Sequence, residues 1–398
     1  MRIVRVANFV TARSGGLRTA LRELGAGFEA AGHEAVLVVP GARAAVEMTE
    51  QGRVVTLPGP EVPGMGGYRV LLDRRRLAAT LAELRPGRLE VSDRTTLRWL
   101  GRWARRAEVP SMMVSHESLD GLLRLAGSDR GSGLFAGSGS ARVAGGGRGG
   151  SGRWLADRLN ARTAAEFDTV ACTTRWAAAE FERIGARNVV RVPLGVDLDW
   201  FSPARRDPQM RLRWAAPGDL LLLHCGRLSA EKRPRRSLHA LAELRAAGVP
   251  AVLAVAGGGP LRVALQREAA ERGLPVRFLG HIGDRRELAA LLATADVAIA
   301  PGPVETFGLS ALEALASGTP VVVSAESALP EVIGDAGIAA AGEGPAYASA
   351  VRALAARPEQ ARRQAAREQA ERYPWSAAVA GFLEAHRVGA GWPAAEPV

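Results

Sequence analysis

Residues 303–324 read PVETFGLSALEALASGTPVVVS, and the fold follows from this stretch. A loop carrying Glu305 runs into a helix carrying Glu313, and the apolar run TPVVVS after it has the β-branched composition of a buried strand. Two carboxylates eight residues apart could signal hydrolysis. A helical rise of about 12 Å over that span fits poorly with the roughly 5–5.5 Å of a retaining glycosidase pair. The pair suits a grip on two parts of one elongated ligand. Thr306, Phe307, Gly308 and Leu309 open the helix, where free backbone N–H groups favour sugar hydroxyls or phosphate oxygens.

Outward from this unit, short β-branched runs alternate with Ala/Leu/Arg/Glu-rich stretches of helical period, the sequence form of βαβ units. Strands are expected around 3–8, 35–40, 54–58, 89–92, 111–116, 169–174 and 189–193, then around 220–225, 252–256, 276–280, 296–300, 320–324 and 337–340. With 398 residues, the chain exceeds what one core serves, so two doubly wound α/β domains are expected. Their expected limits are 1–195 and 196–373, followed by a C-terminal segment, 374–398. Residues 127–152, GSDRGSGLFAGSGSARVAGGGRGGSG, are too poor in apolar groups to repay ordering and read as a disordered insertion.

A hydrophobic content of 47% with 23% charged residues is that of a soluble globular chain, and no apolar run is long enough to span a bilayer. MRIVRVANFV reads as a first strand rather than a signal peptide, which places the protein in the cytoplasm. Cys172 and Cys225 have no metal-ligand spacing. The net charge of +11 is uneven: residues 1–195 hold 29 arginines against 19 acidic residues, an excess of 10. Such a half meets something anionic. Nucleic acid is disfavoured, because no helix-turn-helix, zinc-finger or RNA-binding signature accompanies the scattered arginines.

Three further segments carry chemistry. GRLSAEKRP, residues 226–234, follows a strand and holds Lys232, the one lysine among 52 basic residues. A compact ammonium is required at that place. Ser14-Gly15-Gly16-Leu17-Arg18 lies between the first strand and helix, where Gly-Gly permits a tight turn facing an anion. His116, in VSHESLD, ends a strand on the side where parallel sheets place ligands, with Glu117 as a neighbouring alternative. Gly257-Gly258-Gly259-Pro260 lacks the G-x-G-x-x-G spacing of a dinucleotide site.

The stretch 303–324 resembles the E-x7-E signature of family 4 glycosyltransferases, retaining enzymes of the GT-B fold, in which two Rossmann-like domains face across a cleft. GRLSAEKRP resembles the family segment whose Arg and Lys bind the donor diphosphate. The resemblance implies that Arg227 and Lys232 hold the diphosphate, Glu313 the ribose hydroxyls and Glu305 the transferred sugar. It implies also that Gly15 and Gly16 lie beside the diphosphate, that His116 approaches the donor sugar, and that Ile282, in FLGHIGD, lies near the base. Arg18 falls on the acceptor side, and the resemblance implies that 374–398 is a helix returning to the first domain plus a tail.

SGGLRTALRELG, LEVSDRTTLRWLGRW, ARTAAEFDTVACTT and VPLGVDL are similar to the actinobacterial GDP-mannose-dependent mannosyltransferases that extend phosphatidylinositol dimannoside. That similarity implies GDP-mannose as donor, an anionic glycolipid acceptor, and a peripheral place at the inner face of the cell membrane. Tyr68 and Arg69, in the loop PGMGGYR, and the run Arg74-Arg75-Arg76 are the candidates for headgroup or membrane contact, with Tyr68 and Arg69 on the acceptor side. No cofactor and no metal are expected, since Arg227 and Lys232 already neutralise the diphosphate. A transferase acting on a soluble acceptor with another nucleotide sugar would share every donor motif, and a sugar-nucleotide-binding protein without turnover is the remaining class.

Overall fold

The computed structural model describes residues 1–10, 15–62, 67–121, 123 and 150–388. By internal contacts the chain divides into two units, Met1–Pro193 with Trp375–Val398, and Leu194–Pro374.

The first unit is built on an eight-stranded sheet: β1 (Arg2–Val6), β2 (Glu34–Gly41), β3 (Ala45–Thr49), β4 (Gly52–Pro58), β5 (Arg88–Val91), β6 (Ser111–Ser115), β7 (Thr169–Cys172) and β8 (Val189–Arg191). The order is β3-β4-β2-β1-β5-β6-β7-β8, parallel throughout except for β3. Parallel strands covered on both faces need apolar side chains on both, hence continuous runs such as VLVV in β2. One face packs Leu77, Leu81 and Leu84 of helix Arg74–Leu84 and Leu100 of helix Leu100–Arg106 onto Val4, Val6, Val36 and Val38. Helix Gly16–Ala30 packs closely on the C-terminal helix Trp375–Val388. A Cβ on Gly27 would stand 2.2 Å from a Val379 methyl, and Phe28 meets the His386 ring edge-on at 6.1 Å.

Two expectations need correction here. The sequence reading placed no strand between 41 and 52, but β3 pairs antiparallel with β4 along the sheet edge. All five of its residues are exposed, including Val46 and Met48, so its only signal is pairing, which hydrophobic periodicity cannot register. The Gly/Ser tract lies outside the described residues from 127 to 149, while its last three residues form the first turn of helix Gly150–Glu166. That helix is anchored by buried Ala156, Asn160 and Thr163, and it extends back from them at low cost per residue.

The second unit holds six parallel strands: β9 (Leu220–Cys225), β10 (Ala251–Ala256), β11 (Val276–Gly280), β12 (Val297–Ala300), β13 (Val321–Ser324) and β14 (Ile338–Ala340), in the order β11-β10-β9-β12-β13-β14. Leu222, Leu253, Val255, Val297, Ile299 and Val322 form its core with Leu238, Leu241 and Leu244 of helix Arg235–Ala246 and Tyr347, Val351 and Leu354 of helix Gly344–Ala355. Within this unit Val196 bridges Pro374, and its N–H donates to the Tyr373 carbonyl at 2.8 Å. The strand order reverses between β9 and β12 here and between β1 and β5 in the first unit. Open α/β sheets bind ligands at the carboxyl ends of such strands.

Candidate active site

In the second unit two loops flank the reversal, one after β9 and one after β12. The first is seated by glycines. Gly257 (φ +145°) and Gly259 (φ +154°), after β10, let its backbone come close: Cβ atoms there would lie 1.9 Å from the Gly226 carbonyl and 2.4 Å from that of Leu228. The Leu228 N–H donates to the Gly258 carbonyl at 2.9 Å. This glycine loop therefore shapes the segment carrying exposed Arg227 and half-buried Lys232. At Gly302, after β12, a Cβ would stand 3.4 Å from both Lys232 Cα and Glu305 Oε1, so a glycine brings the two loops together. The Lys232 ammonium pairs with Glu305 Oε1 across the reversal.

Arg236, which the sequence reading passed over, is buried behind this pair. It donates to the Pro301 carbonyl at 3.3 Å and to Glu343 Oε1 at 3.0 Å, holding the loop that leads to Glu305. Its only sequence trace is a place four residues beyond Lys232. His224, on β9, is also buried, with Nδ1 3.0 Å from Ser237 Oγ; burial pulls its pKa down to about 4, and the Lys232 charge adds to the effect.

Helix Leu309–Ala316 begins at Gly308, whose φ of +78° and the Leu329 methyl 2.2 Å from a would-be Cβ both demand glycine. The absence of a side chain at Gly308 thus makes room for Leu329, not for a ligand. Thr306, Phe307 and Leu309 are buried, and Phe307 packs edge-on against Tyr373 at 5.9 Å, so the two apolar side chains belong to the core. The backbone of this turn is what can serve a donor from those positions, at a helix end that no side chain caps. Glu313 is partly exposed and faces the end of β9: burial pushes the Cys225 thiol up to about 12, with the Glu313 charge contributing. Ile282, half-buried, lies on the loop after β11.

In the first unit the reversal is filled by a polar network. Asn8, fully buried after β1, donates to Asp93 Oδ2 at 3.0 Å and Thr96 Oγ1 at 2.7 Å, and accepts from the Leu71 N–H at 2.9 Å. Sequence reading missed it, because its partners lie more than sixty residues away. Gly15 and Gly16 are exposed at the uncapped start of helix Gly16–Ala30, with open space around Gly15, and Arg18 is exposed on its first turn. Ser14 lies outside the described residues.

Tyr68 and Arg69 are placed differently from the expected surface role. Tyr68 is buried with its ring edge against Phe9 at 6.3 Å, and Arg69 donates to the Gly59 carbonyl at 2.8 Å and pairs with Glu61 at 3.3 Å. Both hold their own loop. Arg74, Arg75 and Arg76 are exposed, at a helix start capped by Asp73. His116 follows β6, and burial pulls its pKa down to about 4 against an opposing pull from Glu90. Burial pushes Glu117 up to about 7, with Asp93 adding and Arg94 opposing. At neutral pH, then, the imidazole is uncharged and its neighbour can hold a proton.

The chain is similar to known proteins over nearly its full length. Residues 15–195 match the glycosyl transferase 4-like domain and residues 210–372 match the glycosyl transferases group 1. The chain is 51% identical over 385 residues, 96% of its length and 95% of the relative's, to the GDP-mannose-dependent alpha-(1-6)-phosphatidylinositol dimannoside mannosyltransferase of Mycobacterium tuberculosis (strain ATCC 25177 / H37Ra). Over 216 residues, half of this chain and 45% of that protein, it is 37% identical to the D-inositol 3-phosphate glycosyltransferase of Geodermatophilus obscurus. In fold it is similar to sucrose-phosphate synthase from Thermosynechococcus elongatus, with a TM-score of 0.73, 21% identity and coverage of 98% and 100%. It is also similar to Anabaena HepE in complex with UDP and glucose, with a TM-score of 0.70, 14% identity and coverage of 96% and 98%. The chain is a glycosyltransferase of the GT-B fold, and it belongs to the family that includes the mycobacterial mannosyltransferase.

Proposed function

We propose that the protein transfers an α-mannosyl residue from GDP-mannose to phosphatidylinositol dimannoside, giving the trimannoside with retention at C1. The observation that carries this is the pairing of Lys232 with Glu305 across the strand reversal of the second unit, with Arg227 on the loop of Lys232 and Glu313 on the helix that follows Glu305. In the reaction the bond from mannose C1 to the β-phosphate oxygen breaks, and its electron pair leaves with GDP. Arg227 and Lys232 meet the charge that develops there. Glu305, released from Lys232, accepts hydrogen bonds from mannose hydroxyls, and Glu313 does so from the ribose. The acceptor hydroxyl attacks C1 on the face the phosphate leaves, and its proton passes to the departing phosphate oxygen. This scheme requires no metal, because the two cations supply the neutralisation. His116, uncharged at neutral pH, is suited to a hydrogen bond with the sugar.

The same reading places the first unit on an anionic inner leaflet. No helix among the described residues is long and apolar enough to cross a membrane. Helices Arg74–Leu84 and Gly150–Glu166 both begin at the carboxyl rim of the sheet, and their starts expose apolar and cationic side chains together: Leu72 with Arg74–Arg76, and Trp154 and Leu155 with Arg153 and Arg158. The Arg158 guanidinium lies over the Trp154 ring at 5.3 Å. Tryptophan favours the headgroup region, and each arginine near an anionic leaflet contributes on the order of 1 kcal/mol.

Purified protein with radiolabelled GDP-mannose and phosphatidylinositol dimannoside in anionic vesicles should label the lipid, and Glu313→Ala should not. Donor binding without lipid labelling would move the acceptor to a soluble class; absence of GDP-mannose binding would discard the donor. Trp154→Ala should weaken vesicle binding while sparing GDP binding, and unchanged vesicle binding would remove this rim from the reading.

A further inference from the structure

The residues just after His116 are held by far more than a turn needs. Glu180, on helix Arg175–Glu182, is buried at 5% exposure, and its carboxylate accepts from the Ser118 hydroxyl, the Leu119 N–H at 3.2 Å, the Asp120 N–H at 3.3 Å and Asn160 Nδ2 at 3.1 Å. Arg94, exposed by only 4%, completes the cluster. It donates to Asn160 Oδ1 at 2.9 Å and to the Glu117 carbonyl, and lies 3.5 Å from Glu180 Oε2 with its guanidinium over the Phe181 ring. Nearly one turn further along that helix, Arg183 pairs with Asp120 at 2.8 Å and donates Nε to Asp157 Oδ1 at 2.8 Å. Every residue from 117 to 120 is therefore tied to a neighbouring element by its backbone, its side chain or both.

Stability alone does not account for this arrangement. Taking an arginine and a glutamate out of water costs about as much as their attraction returns, and apolar residues of similar volume would pack as well. What the cluster adds is direction: a carboxylate with two N–H groups, a hydroxyl and an amide converging on it admits one geometry for the turn. The residue whose place that geometry fixes is His116, at the end of β6.

We infer that Glu180 is a positioning residue of the transfer reaction, which with Arg94 and Arg183 sets the 117–120 turn and thereby aims His116 at the transferred sugar. This rests on His116 being a contact of that sugar. Glu180 itself touches no substrate, and the diphosphate is assigned to Arg227 and Lys232. A shift of the turn should therefore slow turnover without loosening the donor.

Glu180→Gln, which keeps the shape and removes the charge, should lower kcat by about tenfold to a hundredfold with the KM for GDP-mannose changed by less than about twofold. In a His116→Ala background the same substitution should cost nothing more, since its effect passes through the imidazole. Full kcat in Glu180→Gln, or losses that multiply in the double variant, would overturn the inference. A second readout needs no turnover. The His116 ring, assigned in NMR spectra by comparison with His116→Ala, should titrate near 4 in the parent protein and move toward 6.5 in Glu180→Gln as the turn opens to water. An unmoved midpoint sinks the proposal. Should Glu180→Gln not fold, Asp120→Asn, which removes the charge of the partly exposed pair with Arg183, should give the same changes at smaller size, and no change would be the same refutation. A parent protein that transfers no mannose to lipid would end the functional reading, and the titration would still decide the role of Glu180.

Discussion

The two strand reversals are built in opposite ways. In the second unit, glycines at 257, 259, 302 and 308 seat the loops, and the charged groups they present, Lys232 and Glu305, remain partly exposed and lean on each other. The first unit fills its reversal with buried polar groups that satisfy one another, Asn8 with Asp93 and Thr96, and fixes the neighbouring turn after β6 with Arg94 and Glu180. At its reversal the second unit keeps charges available to a ligand, and at its own the first consumes polar groups in holding itself still. Charged residues at a sheet rim therefore do not report binding by themselves; their burial and pairing separate the two uses.

The largest effect expected from this contrast is on stability in the first unit. Arg94→Ala would leave Glu180 buried without its cation, a loss of about 3–5 kcal/mol, read as an earlier urea transition for that unit with GDP binding intact. A loss below about 1 kcal/mol would mean that water already reaches the cluster. In the second unit the effect should fall on rate. Glu305→Ala should reduce kcat by about 10²–10³, roughly 3–4 kcal/mol, with little change in stability, and Lys232→Arg should not restore a Lys232→Ala loss, because a planar fork replaces a point charge. Turnover within tenfold of the parent enzyme would remove Glu305 from the sugar's contacts.

The contrast extends to pH. His224, held near 4 against an ordinary 6.5, resists protonation in the native state, so the stability it supports is full above 6.5 and is lost as pH falls toward 4. His116 acts with the same sign. Glu117, raised from 4.5 to about 7, acts oppositely: the stability it favours is present below 4.5 and lost as pH rises through 7. Over 4.5–6.5 the first unit's two groups offset each other, while in the second the Lys232 charge adds to the burial that holds His224 down. The second unit should thus have the steeper acid limb, and His224→Gln should flatten it by on the order of 2–3 kcal/mol, measured as denaturant midpoints from pH 7 to 4. An unchanged limb would place water beside that ring. The smallest effect is expected at Gly308→Ala, about 1–2 kcal/mol from a left-handed backbone and the crowding of Leu329, seen as a lowered Tm that GDP only partly restores.

How much was legible follows the same division. Runs such as LLLLHC and AVLAVA announce strands because both faces are covered, whereas β3 announces nothing because neither is. Lys232 and Glu305 can be read because each sits in a short loop whose glycines and flanking strand are adjacent in sequence. Asn8 and Glu180 cannot, since their partners stand up to 88 residues away and any polar residue in a turn looks alike. Tyr68 was misread for a related reason. A Gly- and Pro-rich loop predicts exposure, yet its ring folds inward onto Phe9.

Because Val196 and Pro374 stand side by side where the chain enters and leaves the second unit, that unit is a self-contained insert in the gene's linear order. A coding segment for 194–374 can be lifted out or exchanged with both cut ends already neighbours. The first unit cannot be obtained by stopping translation at 193. It needs the helix from Trp375 spliced back on to cover Phe28 and Gly27, so recombination that swaps donor modules would have to respect both joints at once.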